Sequence, residues 1–295
     1  MATKNQVIQW LKWAAWIAIV AVIVYFLSKN EDSQGQDIPA TEQSQTLAST
    51  DQATNQSATS QDNKNKETNL ESIVMPRGLS NTVVKYKGYT AHFNKNLHIP
   101  NCVVYEITAS EAKGRRDREG DFVRDNKVAG CPNWWDYRDS GYDRGHMAPA
   151  GDMKWDEQAM NETFYLTNIC PQDNALNAGM WNDIEVKVRE WARRDKALIV
   201  ITGPIVDKNP RSIGQDMDIA VPDAFFKVLL ATKTNPMRAI AFICPNRACG
   251  GPLKSYAVSV DEVEERTGMN FFNALPDDME DKLESTCNPN QWMNR

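Results

Sequence analysis

From Ser28 to about Leu70 the chain is almost entirely Gln, Ser, Thr, Asn and Asp with scattered Ala, and Ile38 and Leu47 are nearly its only large apolar residues. So little apolar surface cannot offset the entropy of ordering the backbone, so residues 29–70 read as a disordered polar tether. At about 5–6 Å × √n such a tether reaches roughly 35 Å. Whatever folds must lie on either side of it. On the N-terminal side stands one apolar run, residues 7–27, which as a helix rising about 1.5 Å per residue would span roughly 30 Å, the thickness of a bilayer core. Its uncharged part, Trp13 to Leu27, also suits a signal-peptide core, but no small-x-small site follows Leu27. Trp10, Trp13 and Trp16 at one end and Tyr25 at the other fit interfacial belts. Lys4 and Lys12 precede the run, whereas Glu31, Asp32 and Asp37 follow it. The expectation is a transmembrane anchor in residues 1–28 with the rest outside the cytoplasm, periplasmic or extracellular, and a secreted protein if the segment is cleaved.

On the C-terminal side, residues 71–295, apolar patterning takes over. Val83 to Tyr86 and Tyr89 to Phe93 read as two short strands around a turn at Gly88, and Cys102 to Ile107 as another. Ala197 to Thr202, Ala224 to Ala231 and Met237 to Cys244 are apolar runs of strand length bounded by Gly, Pro or Asn. Trp181, Ile184, Val188 and Trp191 recur at helical spacing, which predicts a helix from about Ala178 to Arg194. A second helix is predicted over Val260 to Arg266, stopped at Thr267-Gly268. Strands met mainly as neighbours, with few helical crossovers, make an α+β domain.

The chemistry concentrates in two blocks. Tyr142 to Asp152 reads Tyr-Asp-Arg-Gly-His-Met-Ala-Pro-Ala-Gly-Asp and holds one of the chain's three histidines. An imidazole can take up and release a proton near neutrality, and a guanidinium two residues away offers a planar fork for a phosphate. His146 and Arg144 together point to phosphodiester cleavage. The second block, Asn161 to Glu185, sets Asn168, Gln172 and Asn177 into an apolar run that leads into the Trp181 helix. Asn177, Trp181 and Glu185 follow one another at four-residue steps, which would stack them on one helix face. An asparagine oxygen is a neutral hard donor, and a site with one or two protein oxygens suits Mg²⁺, which keeps most of its waters.

These blocks, with Ile201-Thr202-Gly203-Pro204 and Val221 to Val228, closely resemble the DNA/RNA non-specific endonucleases, over roughly Tyr89 to Asp278. The resemblance implies a ββα-metal (His-Me finger) fold in which a hairpin carrying the histidine faces a helix carrying the metal ligand, beside a central, mainly antiparallel sheet flanked by helices. Carried over, it implies His146 as general base, Asn177 as direct ligand of Mg²⁺ (with Mn²⁺ or another divalent ion as alternatives) and Arg144 on the phosphate. It also implies Asn168 and Gln172 as supports and Glu185 orienting metal-bound water. An upstream arginine belongs to the pattern. Arg115, Arg116 and Arg118 crowd one segment, and Arg118 is the choice. Asp143 shapes the turn or orients a neighbour. The implied reaction is hydrolysis of DNA, and of RNA as well, to 5′-phosphate ends, by a protein for which a homodimer is an option.

The bulk properties are compatible with this reading. A net charge of −6 excludes a protein that coats nucleic acid passively, but not an enzyme that grips a few phosphates. Six cysteines in a chain expected outside the cytoplasm favour disulfides, with Cys244–Cys249 as a short-loop candidate and Cys170 as a brace of the site. No histidine or Cys-x-x-Cys pair accompanies them as a zinc site would require. His92 and His98 read as structural, and Trp181 and Trp191 as core. Two other functions fit less well: a non-catalytic receptor for DNA uptake, which would tolerate a degenerate His146 or Asn177, and a phosphodiesterase for small nucleotides.

Overall fold

A computed structural model describes residues 69–117 and 120–293. The 7–27 run, nearly all of the proposed tether and Arg118 lie outside the described residues. The central element is a seven-stranded sheet in the order β1 (Thr82–Lys85), β2 (Thr90–Asn94), β3 (Ile99–Thr108), β6 (Ala197–Ile205), β9 (Ala224–Ala231), β10 (Arg238–Pro245) and β11 (Ala257–Val258). Every neighbouring pair is antiparallel. Two small hairpins stand apart from it: β4 (Asp143–His146) with β5 (Ile169–Gln172), and β7 (Ser212–Ile213) with β8 (Ile219–Ala220).

The inner strands read as continuous apolar runs because both faces of the sheet are covered. Side chains alternate between two cores. Val103, Tyr105, Val200, Phe225, Leu229 and Phe242 enter one, while Val104, Ile201, Phe226, Val228 and Ile243 enter the other. Each such side chain, fully buried, contributes on the order of 1.5–3 kcal/mol. The first core is closed by the β4–β5 hairpin and by α3 (Asn182–Asp195), which buries Ile184, Val188 and Trp191 at helical spacing. The second is closed by α4 (Val260–Thr267) and α5 (Asp277–Ser285) through Val260, Val263 and Leu283. Ser259 caps α4 by accepting from the Glu262 N–H at 3.2 Å, and Gly268 ends it at φ +70 with its N–H on the Glu264 carbonyl.

Two expectations need correcting. No disulfide is formed: all six cysteines are free thiols. Cys102, Cys131, Cys170 and Cys244 are buried and act as small apolar residues, Cys102 and Cys244 on different strands of the sheet and Cys170 on β5 opposite Gly145. Cys249 turns its thiol to the carbonyls of Pro245 and Arg247, and Cys287 is exposed. The membrane anchor is the second correction. Among the described residues no helix is long and apolar enough to cross a membrane, and the 7–27 run lies outside them. The membrane partner and the location derived from it find no support in the described structure.

Candidate active site

The site begins at a short hairpin. β4 pairs with β5 so that Asp143 faces Gln172, Gly145 faces Cys170 and His146 faces Ile169. Gly145 is required by close packing: a Cβ there would meet Gln172 Oε1 at 2.3 Å and its Cβ at 2.6 Å. Residues two apart on a strand share a face, so Arg144 and His146 point the same way. Both meet Phe122, whose ring lies 5.3 Å from the imidazole and 4.8 Å from the Arg144 guanidinium carbon. Phe164 closes edge-on against the imidazole at 5.2 Å. The imidazole of His146 is thus held between two aromatic walls, with the arginine beside it. Phe122 and Phe164 carry no signal in the sequence, because their role exists once two distant segments meet.

The turn after the histidine is fixed from behind. Asn168 is fully buried, and its Oδ1 accepts from the Ala148 N–H at 2.9 Å. Its Nδ2 donates to the carbonyls of Ala148 at 2.9 Å and Thr163 at 2.8 Å. It therefore pins residues 147–148 and does not face the reacting groups. Gln172 is also fully buried, and neither amide atom has a hydrogen-bond partner among the described residues.

The hairpin is tied to the helix through Asp143, whose Oδ2 accepts from Asn177 Nδ2 at 2.9 Å and Asn174 Nδ2 at 3.0 Å. With its nitrogen committed to Asp143, Asn177 has its Oδ1 left to offer a cation. The N-terminus of this helix is anchored elsewhere too. Asp173 caps it through the N–H groups of Ala175 and Leu176, and its own N–H donates to Asn246 Oδ1 at 2.7 Å. Asn246 Nδ2 in turn donates to the carbonyls of Pro171 and Pro222. Asn246, 73 residues from Asp173 in the chain, was invisible as a site residue for that reason.

The helix itself departs from expectation. Between α2 (Asn174–Leu176) and α3 the chain kinks within Asn177–Trp181, where Gly179 takes the non-helical φ −104, ψ −114. The non-helical backbone at Gly179 breaks the helical register, so Asn177 and Trp181 do not stack on one face. Asn177 turns toward Asp143 while Trp181 is fully buried against Phe225. Glu185 follows, half-buried, on the first turn of α3. Behind it, Lys227 of β9 is fully buried, its Nζ 4.6 Å from the Trp181 ring and without a hydrogen-bond partner among the described residues. Burial pushes the Lys227 pKa down, against the pull of the Glu185 and Asp152 charges. Asp152 accepts from Arg189 at 2.7 Å and from the Tyr105 hydroxyl at 2.8 Å. A chain of buried charge thus runs from the sheet to the helix that carries Asn177.

The residues at the Asp143–Asn177 contact fit a hard divalent cation: the Asn177 amide oxygen and the Asp143 carboxylate are oxygen donors, with no soft ligand beside them. Among the described residues the His/Cys/Asp/Glu group that could hold a metal ion is a different one, Asp261, Glu264 and Glu284 on α4 and α5, which pack on the opposite face of the sheet. Of the upstream arginines, Arg116 pairs with Glu157 at 3.6 Å in an exposed ion pair, and Arg118 is outside the described residues.

A hairpin with a histidine, followed by a helix that an asparagine opens, beside a central antiparallel sheet, is the ββα-metal architecture. The sequence profile of the DNA/RNA non-specific endonucleases matches residues 66–278, and the chain belongs to that family, whose members are metal-dependent nucleases that hydrolyse nucleic-acid phosphodiester bonds. Among its relatives, Nuclease 1, mitochondrial, of Schizosaccharomyces pombe is 36 % identical over 211 residues, 64 % of this chain and 65 % of its own length. Nuclease EXOG, mitochondrial, of Homo sapiens is 34 % identical over 235 residues, 72 % of this chain and 64 % of its own. The chain thus spans less than two thirds of these relatives. A chain of the solved EndoG/EndoGI complex superposes with a TM-score of 0.62 at 28 % identity, covering 66 % of this chain and 86 % of that one. That structure is an EndoG/EndoGI complex that concerns EndoG inhibition, an inhibitor complex and not a homodimer, so the expected homodimer finds no support in it.

Proposed function

We propose that the chain is an endonuclease that hydrolyses phosphodiester bonds of DNA and RNA with little sequence preference, using one divalent cation, Mg²⁺ in the first instance. The observation that carries this reading is the Asp143–Asn177 hydrogen bond at 2.9 Å, which joins the strand bearing His146 to the helix bearing the ligand oxygen. His146 takes the proton from the attacking water, a contribution worth about 10²–10⁴-fold. Phe122 and Phe164 hold its ring in place. Arg144 donates to a non-bridging phosphate oxygen as negative charge grows there. Asn177 would hold the cation and Glu185 would orient its waters, with Asp143 and Gln172 as supports. When bound, the cation supplies electrostatic stabilisation to the phosphate and the leaving oxygen.

The test is digestion of plasmid DNA and of RNA side by side with Mg²⁺, with EDTA, and with the His146→Ala and Asn177→Ala proteins. His146→Ala should lower kcat by at least about 100-fold. Asn177→Ala should raise the Mg²⁺ concentration needed for half-maximal rate. Cleavage that survives both EDTA and His146→Ala would sink the reading.

A further inference from the structure

On the sheet face away from the catalytic helix, Asp261 and Glu264 of α4 and Glu284 of α5 each bring a carboxylate oxygen within 4.8 Å of the other two. Acidic groups at a helix surface need no ligand, but Glu284 is not at the surface. The residue is 5 % exposed, and its Oε1 has no hydrogen-bond partner among the described residues. A buried carboxylate oxygen without a donor is costly unless something positive meets it. Its position makes the cost larger. Glu284 lies in the last turn of α5, where the helix already presents its negative end. Glu264 is fixed in place, because its Oε1 accepts from the Phe271 N–H at 2.6 Å, and its carboxyl group also meets that of Glu284. Exposed Asp261 completes the group from the first turn of α4.

We propose that Asp261, Glu264 and Glu284 form a second divalent-cation site, structural and separate from the catalytic one, that takes Ca²⁺ and ties α4 to α5. Three carboxyl groups supply oxygens, and water completes the shell. Oxygens bound to Ca²⁺ at about 2.3–2.6 Å can stand up to roughly 5 Å apart across the ion, so a spread of 4.8 Å is within reach with little rearrangement. Mg²⁺, at about 2.1 Å with a demand for octahedral geometry, would require the group to contract. The two helices carry Val260, Val263 and Leu283 into the second core, so an ion that joins them steadies that whole layer.

The experiment uses the full-length protein with Asn177→Ala, which removes the proposed catalytic ligand, and reads thermal unfolding and calorimetric binding with CaCl₂ alone. Saturable binding at one site is expected, with Tm raised by about 5–10 °C at a hundredfold excess over Kd. A smaller effect is expected from MgCl₂. Adding Glu284→Gln or, should that protein fold poorly, the exposed Asp261→Asn should abolish the Tm rise and weaken Kd at least tenfold. Absence of saturable Ca²⁺ binding in the Asn177→Ala protein, or binding indifferent to both added substitutions, overturns the site. Neither result depends on nuclease activity, so this site can fail while the catalytic reading stands.

Discussion

Asn168 shows how far a residue's role can differ from its place in a motif. It sits in the block that marks the site, yet its three side-chain hydrogen bonds all go to backbone groups of Ala148 and Thr163. Its work is to position the turn beyond His146. Asn168→Ala would leave those buried groups unmet, at about 1–3 kcal/mol each before relaxation. The expected outcome is a loss of roughly 2–4 kcal/mol in denaturant unfolding, with kcat falling more than KM changes. Lys227 is the complementary case, a buried charge the motif did not single out. Lys227→Met keeps the shape, so stability should change by less than about 1.5 kcal/mol. Activity should nevertheless fall at least about tenfold, because Glu185 loses the positive charge behind it. Unchanged kcat in a well-folded Lys227→Met protein would assign the lysine to packing alone.

At the scale of elements, regular periodicity was readable and its interruption was not. Trp181, Ile184, Val188 and Trp191 announced a helix because burial on one side imposes a 3.6-residue repeat, and all four are buried. The kink at Gly179, within Asn177–Trp181, interrupts the helix where Asn177 sits, and a local sequence gives no measure of it because the segment is held by Asp143 and Asn246 from elsewhere in the chain. The β4–β5 hairpin likewise showed its chemistry but not its contact. Gly145→Ala would push a methyl group into the fully buried Gln172. Overpacking of this kind costs about 1–3 kcal/mol, and here it would part the strand that carries His146 and Arg144. Thermal unfolding and cleavage rate should fall together. If activity falls while Tm is kept, the clash is absorbed by movement of the strand alone.

Across the whole molecule, the sheet is sealed on both faces, and the seams between layers are closed by charge. Asp195, ending α3, receives hydrogen bonds from Arg194 and from Arg238 on β10. Burial alone would push the Asp195 carboxyl up, but these two guanidinium groups hold it below the ordinary carboxylate range. A depressed folded-state pKa gives stability that is present above the unfolded value of 3.8 and is lost as pH falls through the folded value. Arg238→Met should therefore cost roughly 1–3 kcal/mol at neutral pH, and should narrow the stability gap from the natural protein as acid protonates Asp195. Equal losses at pH 7 and pH 2.5 would exclude that linkage. What the sequence determined by itself was the inventory: apolar runs long enough for two-sided strands, an amphipathic helix, and a base, an arginine and an amide oxygen in order along the chain. Those are local properties, fixed by side-chain chemistry and the periods of helix and strand. Tertiary structure alone decided that Asp143 would hold Asn177, that Phe122 and Phe164 would wall His146, and that Glu284 would be buried among carboxylates. Each of these is a contact between segments far apart in the chain, and such contacts are set by how the layers pack, not by any repeat within one segment.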